Sequence, residues 1–311
     1  MFCTASFLFF PIPHSDFRIP DTIYLPDAVE SRKKERTFVF LLTLFLALCI
    51  VNSMKILVCV KQVPEADSPI KIDDNSGWIQ ADTITEFKMN RLDEFAVEEA
   101  VLIKESIAGT RIDVITVGPD RCDEVVRRAI GMGADSGALI QMTSDGYQSP
   151  FQVASWIAGF ANKKKYDLIL TGTMSEDDMQ GQVGPMLAAR LGLPWATSVI
   201  FEKIAPDRKT IYVEREIEGG NRDTVELKLP AVITIQSGIN TPRWPSLSNL
   251  LRAHSQELEK ISINDLTKLP ETEVLAEVVY PQKNRAGMVL PGSLEEKAAR
   301  LLTIFREKSL L

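Results

Sequence analysis

From Lys55 onward, continuous apolar runs alternate with stretches in which apolar residues recur at helical spacing. Lys55-Ile56-Leu57-Val58-Cys59-Val60 predicts a strand buried on both faces. A polar stretch over residues 64–88 follows, with turn signals at Pro64, Asp73-Asp74-Asn75 and Gly77. Asn90-Arg91-Leu92-Asp93 then opens a helix, with Asn90 as the cap and Asp93 as the acidic N3 partner of a capping box. Leu92, Phe95, Ala96, Ala100 and Ile103 lie on one side of that helix. The same reading predicts strands over 112–117, 138–142 and 167–171, and helices over 124–130, 151–162 and 185–191. Such an alternation describes an α/β domain with a parallel sheet covered on both faces.

The pattern changes after Pro194. Residues 211–216 and 224–229 alternate as strands and are joined across Glu218-Gly219-Gly220-Asn221, which predicts a β-hairpin inserted into the domain. Another apolar strand is expected over 231–235, then a helix over 248–258 and a last helix over 294–308. The tail is too poor in apolar residues to make its own core, so it is expected to lie on the domain or on another chain. The chain therefore divides into residues 1–53, an α/β domain over 54–250, and an extended C-terminal helical tail over 251–311.

The first segment differs in composition. Residues 1–53 hold as many acids as bases, so the net charge of −7 belongs to the remainder. A basic cluster, Arg32 to Arg36, precedes an apolar run over 37–51 that resembles a signal or anchor segment, although about 20 residues are wanted to span a bilayer. Because Met54 directly opens a strand, the expectation is that translation begins there and that 1–53 is an upstream extension; a membrane-tethered form is the alternative.

Net negative charge argues against nucleic-acid binding. Cys3, Cys49, Cys59 and Cys122 show no metal-ligand spacing, and reduced thiols fit a cytoplasmic protein. No metal, Ser/His/Asp or Cys/His constellation is visible, so the chain carries no catalytic residues and reads as a carrier rather than a stand-alone enzyme. Gly131, Gly133 and Gly137 follow a helix and precede a strand, the wrong order for a phosphate loop, so they are expected to end the helix. The stretch from Gly172 to Pro185 is the better candidate. It follows a strand and precedes a helix, where open α/β sheets bind ligands, and free N–H groups around Gly181–Gly184 suit a phosphate. Asp177 and Asp178 are awkward beside a phosphate; they suit a base or ribose, or form a solvated acidic loop. The charges from Glu214 to Glu218 read as surface pairing on the hairpin. The loop from Asn240 to Leu247 offers Trp244, and with it Leu247, as an anchor between prolines, with a tucked-in Trp as the rival reading.

Taken together, VCVKQVP (58–64), N-x-x-D-E-x-A-V-E-E-A (90–100), MGAD (132–135), the Gly172–Gly184 loop, VEREIEGG (213–220), LPAVIT (229–234) and N-x-P-R-aromatic (240–244) resemble the β subunit of an electron transfer flavoprotein, over roughly residues 54–300. The resemblance implies an adenine nucleotide α-hydrolase-like fold and a heterodimer with an α subunit. It implies an FAD shared with, and mainly held by, that subunit, and electron flow from dehydrogenases such as acyl-CoA dehydrogenases to a quinone-linked oxidoreductase or other acceptor. It maps an AMP pocket onto Cys59, Asn90, Val117, Ser175, Asp178, Gly181, Gln182 and Val183. It also maps a dehydrogenase-docking segment onto Arg243, Trp244 and Leu247, and a subunit interface onto Arg215 and Glu216. Gly181 and Val183 replace the Asn and Thr common in members that hold AMP. The ending Gln182-Val183-Gly184-Pro185 resembles electron-bifurcating members, which place a second FAD there, but their Asp-Gly-Asp-Thr segment is absent. A nucleotide-hydrolysing or nucleotide-sensing α/β domain is the alternative from another class.

Overall fold

The computed structural model describes residues 53–73, 77–80, 84–143, 146–266, 273–280 and 287–311. Residues 1–52, with the apolar run over 37–51, and the expected turn residues Asp74 and Asn75 lie outside them. Thirteen strands are found among the described residues. In chain order they are β1 Lys55–Cys59, β2 Gln62–Pro64, β3 Lys71–Ile72, β4 Ile79–Gln80, β5 Phe87–Met89, β6 Arg111–Gly118, β7 Ser136–Gln141, β8 Leu168–Gly172, β9 Trp195–Ile204, β10 Thr210–Ile217, β11 Asn221–Lys228, β12 Ala231–Ile235 and β13 Glu259–Ser262. The helices are α1 Arg91–Ser106, α2 Asp123–Met132, α3 Pro150–Lys164, α4 Val183–Leu191, α5 Leu247–Ser255 and α6 Leu294–Glu307.

Nine strands form one sheet in the order β11-β10-β9-β12-β8-β1-β6-β7-β13. From β9 to β13 the neighbours are parallel, and only the β9–β10–β11 extension is antiparallel. The central β1 carries the continuous apolar run, and its successive side chains serve opposite faces as the period of two requires. Ile56 and Val58 join Phe95, Ala96, Ala100, Val126 and Ile130 of α1 and α2 in one core. Leu57 and Cys59 join Ile157, Ala161, Leu187 and Ala188 of α3 and α4 in the other. Ile56, Leu57, Ile112 and Ile169 are wholly enclosed; each contributes about 1.5–3 kcal/mol by leaving water.

The hairpin is present, with Glu214 opposite Thr224 in its register, and Gly133, at φ 141°, ends α2 as expected. Two strands of the nine-stranded sheet escaped the sequence reading, as did the short β2, β3, β4 and β5 in and beside the stretch read as polar and turn-rich. In β9, polar Thr197, Ser198, Glu202 and Lys203 break the apolar run, and its register against β12 and β10 shifts, so it lacks a clean period. The helix expected over 248–258 stops at Ser255, because Arg127 of α2 donates to the Ala253, His254 and Gln256 carbonyls and closes its C-terminus. The freed chain then pairs as β13 beside β7. Thus α5 runs through the boundary placed at 250, and the sheet-forming body continues past it. No residue of α6 is buried, while Tyr280 of the tail donates its hydroxyl to the Ile70 carbonyl and accepts from the Ile72 N–H. Among the described residues, no helix is long and apolar enough to cross a membrane.

Candidate functional site

The chain leaves β1 toward the α1 face and leaves β8 toward the α4 face, so the carboxyl ends of these neighbouring strands part. A crevice at such a switch point is where open α/β sheets bind ligands. A cavity of about 220 Å³ opens there. Its wall combines the ends of β1, β6 and β8 with the start of α1 and the loop from Thr173 to Gly184.

Asn90 and Asp93 sit at the start of α1 but form no capping box; Asn90 makes no side-chain cap. Both side chains instead reach across to other segments. Asp93 accepts the Lys61 N–H at 2.8 Å and the Gly172 N–H at 2.9 Å, fastening the ends of β1 and β8 to the helix. Asn90 donates to the Met174 carbonyl and accepts the Glu176 N–H, both at 3.0 Å. Their N–x–x–D spacing puts them one turn apart on one face, which serves this cross-linking as well as it would a cap. Burial pushes the Asp93 carboxyl up to about 7 even though these donors favour its charged form. Gly172 is required here. A Cβ at this position would lie 2.5 Å from Asp93 Oδ1 and 2.9 Å from the Leu92 backbone.

The acidic loop is held by a cation that the sequence reading did not single out. Lys61 Nζ lies 2.8 Å from Asp177 Oδ1, 2.9 Å from Asp178 Oδ2 and 3.2 Å from Ser175 Oγ. Burial works against its charge, but the two carboxylates outweigh that and raise its pKa. Burial likewise opposes the charge of Asp178, yet the ammonium and the Ser175 hydroxyl leave its carboxyl below the ordinary range. Asp177 and Asp178 are therefore exposed to solvent, but their charges are opposed by Lys61. The signal for Lys61 was its place two residues beyond the first strand, within VCVKQVP.

Gly181 adopts φ +63°, turning the loop into α4. Gln182 stands at the N-cap, and its side chain makes no cap bond to the first-turn N–H groups of α4. At Gly184 a Cβ would lie 2.4 Å from Thr234 Cγ2, so the helix start is pressed onto the end of β12. Cys59 and Val117 make an apolar floor; burial and then the Asp93 charge raise the Cys59 thiol, which stays protonated. Further along, Trp78, Phe87 and Tyr147 line an aromatic annexe, with the Trp78 and Tyr147 ring centroids 5.4 Å apart. Cys59, Asn90, Val117, Ser175, Asp178, Gly181, Gln182 and Val183 all line this one cavity.

The other candidates lie elsewhere. Trp244 and Leu247 are 84% and 74% exposed, so the Trp is not tucked in. Arg243 faces inward to Glu98 and Glu105 of α1. Arg215 on β10 donates to Thr197 Oγ1 of β9 at 3.0 Å, and the exposed Glu216 accepts from Gln236 at 3.4 Å.

The family model of the electron transfer flavoprotein domain matches residues 78–266, spanning the helix, loop and hairpin just described. The chain belongs to the electron transfer flavoprotein family. Among curated relatives, the electron transfer flavoprotein β subunit of Methylophilus methylotrophus is 31% identical over 82% of this chain and 98% of its own length. The β subunits of Bos taurus and Homo sapiens are 34% and 33% identical, each over 81% of this chain and 98% of their own length. The chain thus has the part of a β subunit in an electron transfer flavoprotein, and its role is electron transport.

Proposed function

We propose that the cavity at the β1–β8 switch point binds an adenine nucleotide, AMP in the first instance, with its phosphate at Gly181–Val183. The carrying observation is the convergence of four separate chain segments on a cavity that ends at the uncapped N-terminus of α4. Backbone N–H groups and the helix dipole favour an anion there. Asn90, Ser175 and Asp178 stand along the same wall and suit the polar edges of the nucleoside. Loss of side-chain amide and hydroxyl at Gly181 and Val183 leaves phosphate recognition to the backbone.

A second FAD in this subunit is the alternative, and the aromatic annexe at Trp78 and Tyr147 favours it as room for a ring system beyond the nucleotide. The principal FAD is shared with an α subunit, which holds most of it, and Arg215 and Glu216 contribute to that interface. A bound flavin supplies the redox chemistry, while this chain positions groups and excludes water. A hydrolysing or sensing domain is the weaker reading, since Asp177 and Asp178 are engaged by Lys61 rather than open to a metal.

The segment from Asn240 to Asn249, a loop as far as Ser246 and then the first turn of α5, is assigned to docking of dehydrogenases such as acyl-CoA dehydrogenases, with Trp244 and Leu247 as exposed apolar anchors. Electrons pass on to a quinone-linked oxidoreductase or other acceptor, in the cytoplasm. The test is to purify the chain with its α partner, record the absorbance spectrum, and quantify the nucleotides released on denaturation. One FAD and one AMP support the carrier reading; two FAD support the bifurcating one. A single FAD with no other nucleotide overturns both.

A further inference from the structure

Arg243 opens the exposed segment that carries Trp244 and Leu247, yet its guanidinium is committed to the body. Nε donates to both oxygens of Glu98, at 3.1 and 2.9 Å, and Nη2 donates to Glu98 Oε1 at 2.9 Å. The Arg243 backbone N–H adds a bond to Glu98 Oε2 at 3.0 Å. Its outer edge meets Glu105, with Nη1 at 2.7 Å from Oε1 and Nη2 at 3.3 Å from Oε2. The five N–H donors of a guanidinium lie in a fixed plane, so two carboxylates about two helical turns apart on one face of α1 orient that plane. Glu98 is only 4% exposed, and an unpaired carboxylate there is costly, so the pair holds the loop against the helix rather than decorating the surface.

The neighbouring contacts have the same source. Asn240 donates to Glu99 Oε2 at 2.8 Å and to the Phe95 carbonyl at 3.0 Å. Glu94 accepts from Arg128 Nη2 at 2.7 Å, and that guanidinium lies 5.2 Å from the Trp244 ring centroid. Ser246 caps α5 by accepting the Asn249 N–H at 3.3 Å. Helix α1 thus grips both sides of the Thr241-Pro242 step, and the segment leaves the body with its apolar side chains turned outward.

We infer that Arg243 is a positioning residue, clamped by Glu98 and Glu105 so that Trp244 and Leu247 reach a protein partner in one fixed geometry, and not itself a partner contact. The inference rests on the docking assignment made above. A preset loop loses little freedom on association, which is how a small apolar patch can hold a partner. Lysine cannot replace Arg243, because one ammonium cannot engage both carboxylates in a plane.

The test measures electron transfer from a purified acyl-CoA dehydrogenase to the αβ complex as the concentration of the complex is varied. Arg243→Lys is expected to raise the half-saturating concentration about tenfold, with flavin content kept and the maximal rate changed less than twofold. Glu105→Gln, at the exposed outer arm, is expected to raise it about threefold with the unfolding midpoint unchanged, so the result does not depend on a variant that threatens the core. Combined with Leu247→Ala, Arg243→Lys is expected to add little, because both act through the same side-chain placement. Fully multiplicative effects would assign Arg243 a contact of its own and overturn the inference, as would an unchanged half-saturation in Arg243→Lys and Glu105→Gln beside an impaired Leu247→Ala. No effect of Leu247→Ala removes the docking assignment itself, and the inference with it.

Discussion

Lys61 Nζ lies 2.8 Å from Asp177 Oδ1, across the mouth of the cavity formed where β1 and β8 part. Together with its bond to Asp178 it fastens the loop that leads into α4, so the ammonium sets where Gly181–Val183 stand relative to the Asn90 wall. Lys61→Met is therefore expected to weaken nucleotide retention several-fold while the sheet stays intact. The pairs are partly exposed, so the effect on stability is expected to be small, of order 1 kcal/mol. Nucleotide content after gel filtration, set beside the thermal midpoint, checks this; equal loss of both would make Lys61 a general fold contact.

Gly172 has no room for a methyl group between Asp93 and the Leu92 backbone. Gly172→Ala is expected to cost about 1–3 kcal/mol by forcing α1 away from β8. Chemical denaturation should show a lower midpoint at unchanged slope; an unaltered midpoint would mean that the helix start yields freely.

The half-buried Glu202 of β9 faces the buried Glu99 of α1. Burial and then the neighbouring carboxylate push Glu202 up to about 8, and burial also raises Glu99. The folded chain therefore holds a proton that the unfolded chain has released between about pH 4.5 and 8, and stability from this site falls as pH rises through that window. Glu202→Gln keeps the shape and removes the titration. Its unfolding midpoint, measured against the parent, should gain steadily from pH 5 toward pH 8; a pH-independent difference would contradict the shared-proton pair.

Leu247 is mostly exposed, so Leu247→Ala should leave the thermal midpoint within about 0.5 kcal/mol of the parent. As a docking anchor it should cost about 2 kcal/mol in association with the dehydrogenase, roughly a thirtyfold rise in the concentration needed. Binding isotherms and a melting curve on the same preparations separate the two roles.

The strands and helices of the parallel core were legible because each carries its own period. Ile56 to Val60 is apolar throughout, and Phe95, Ala96, Ala100 and Ile103 share one helical face. What local patterns cannot carry is pairing between distant segments. β13 exists only because β7 offers an edge and Arg127 ends α5. Within the site, the glycines and the strand-to-helix loop were readable from spacing. The work of Asp93 was not, since an acid at N3 looks like a cap partner until Lys61 and Gly172 are brought beside it. Lys61 was invisible for the same reason, because its partners lie more than a hundred residues away in sequence.

The most direct test of the nucleotide site is to place a negative charge where the phosphate is assigned. At 4 Å two unit charges repel by about 4 kcal/mol in an effective dielectric of about 20, enough to empty the site, and Asp tolerates the left-handed backbone of Gly181 better than most residues. The measurement is the content of AMP and FAD released by denaturing the αβ complex of the parent and of Gly181→Asp. The variant is expected to lose the nucleotide assigned to this subunit and to keep the flavin assigned mainly to the α subunit; full retention of both nucleotides would contradict the phosphate site.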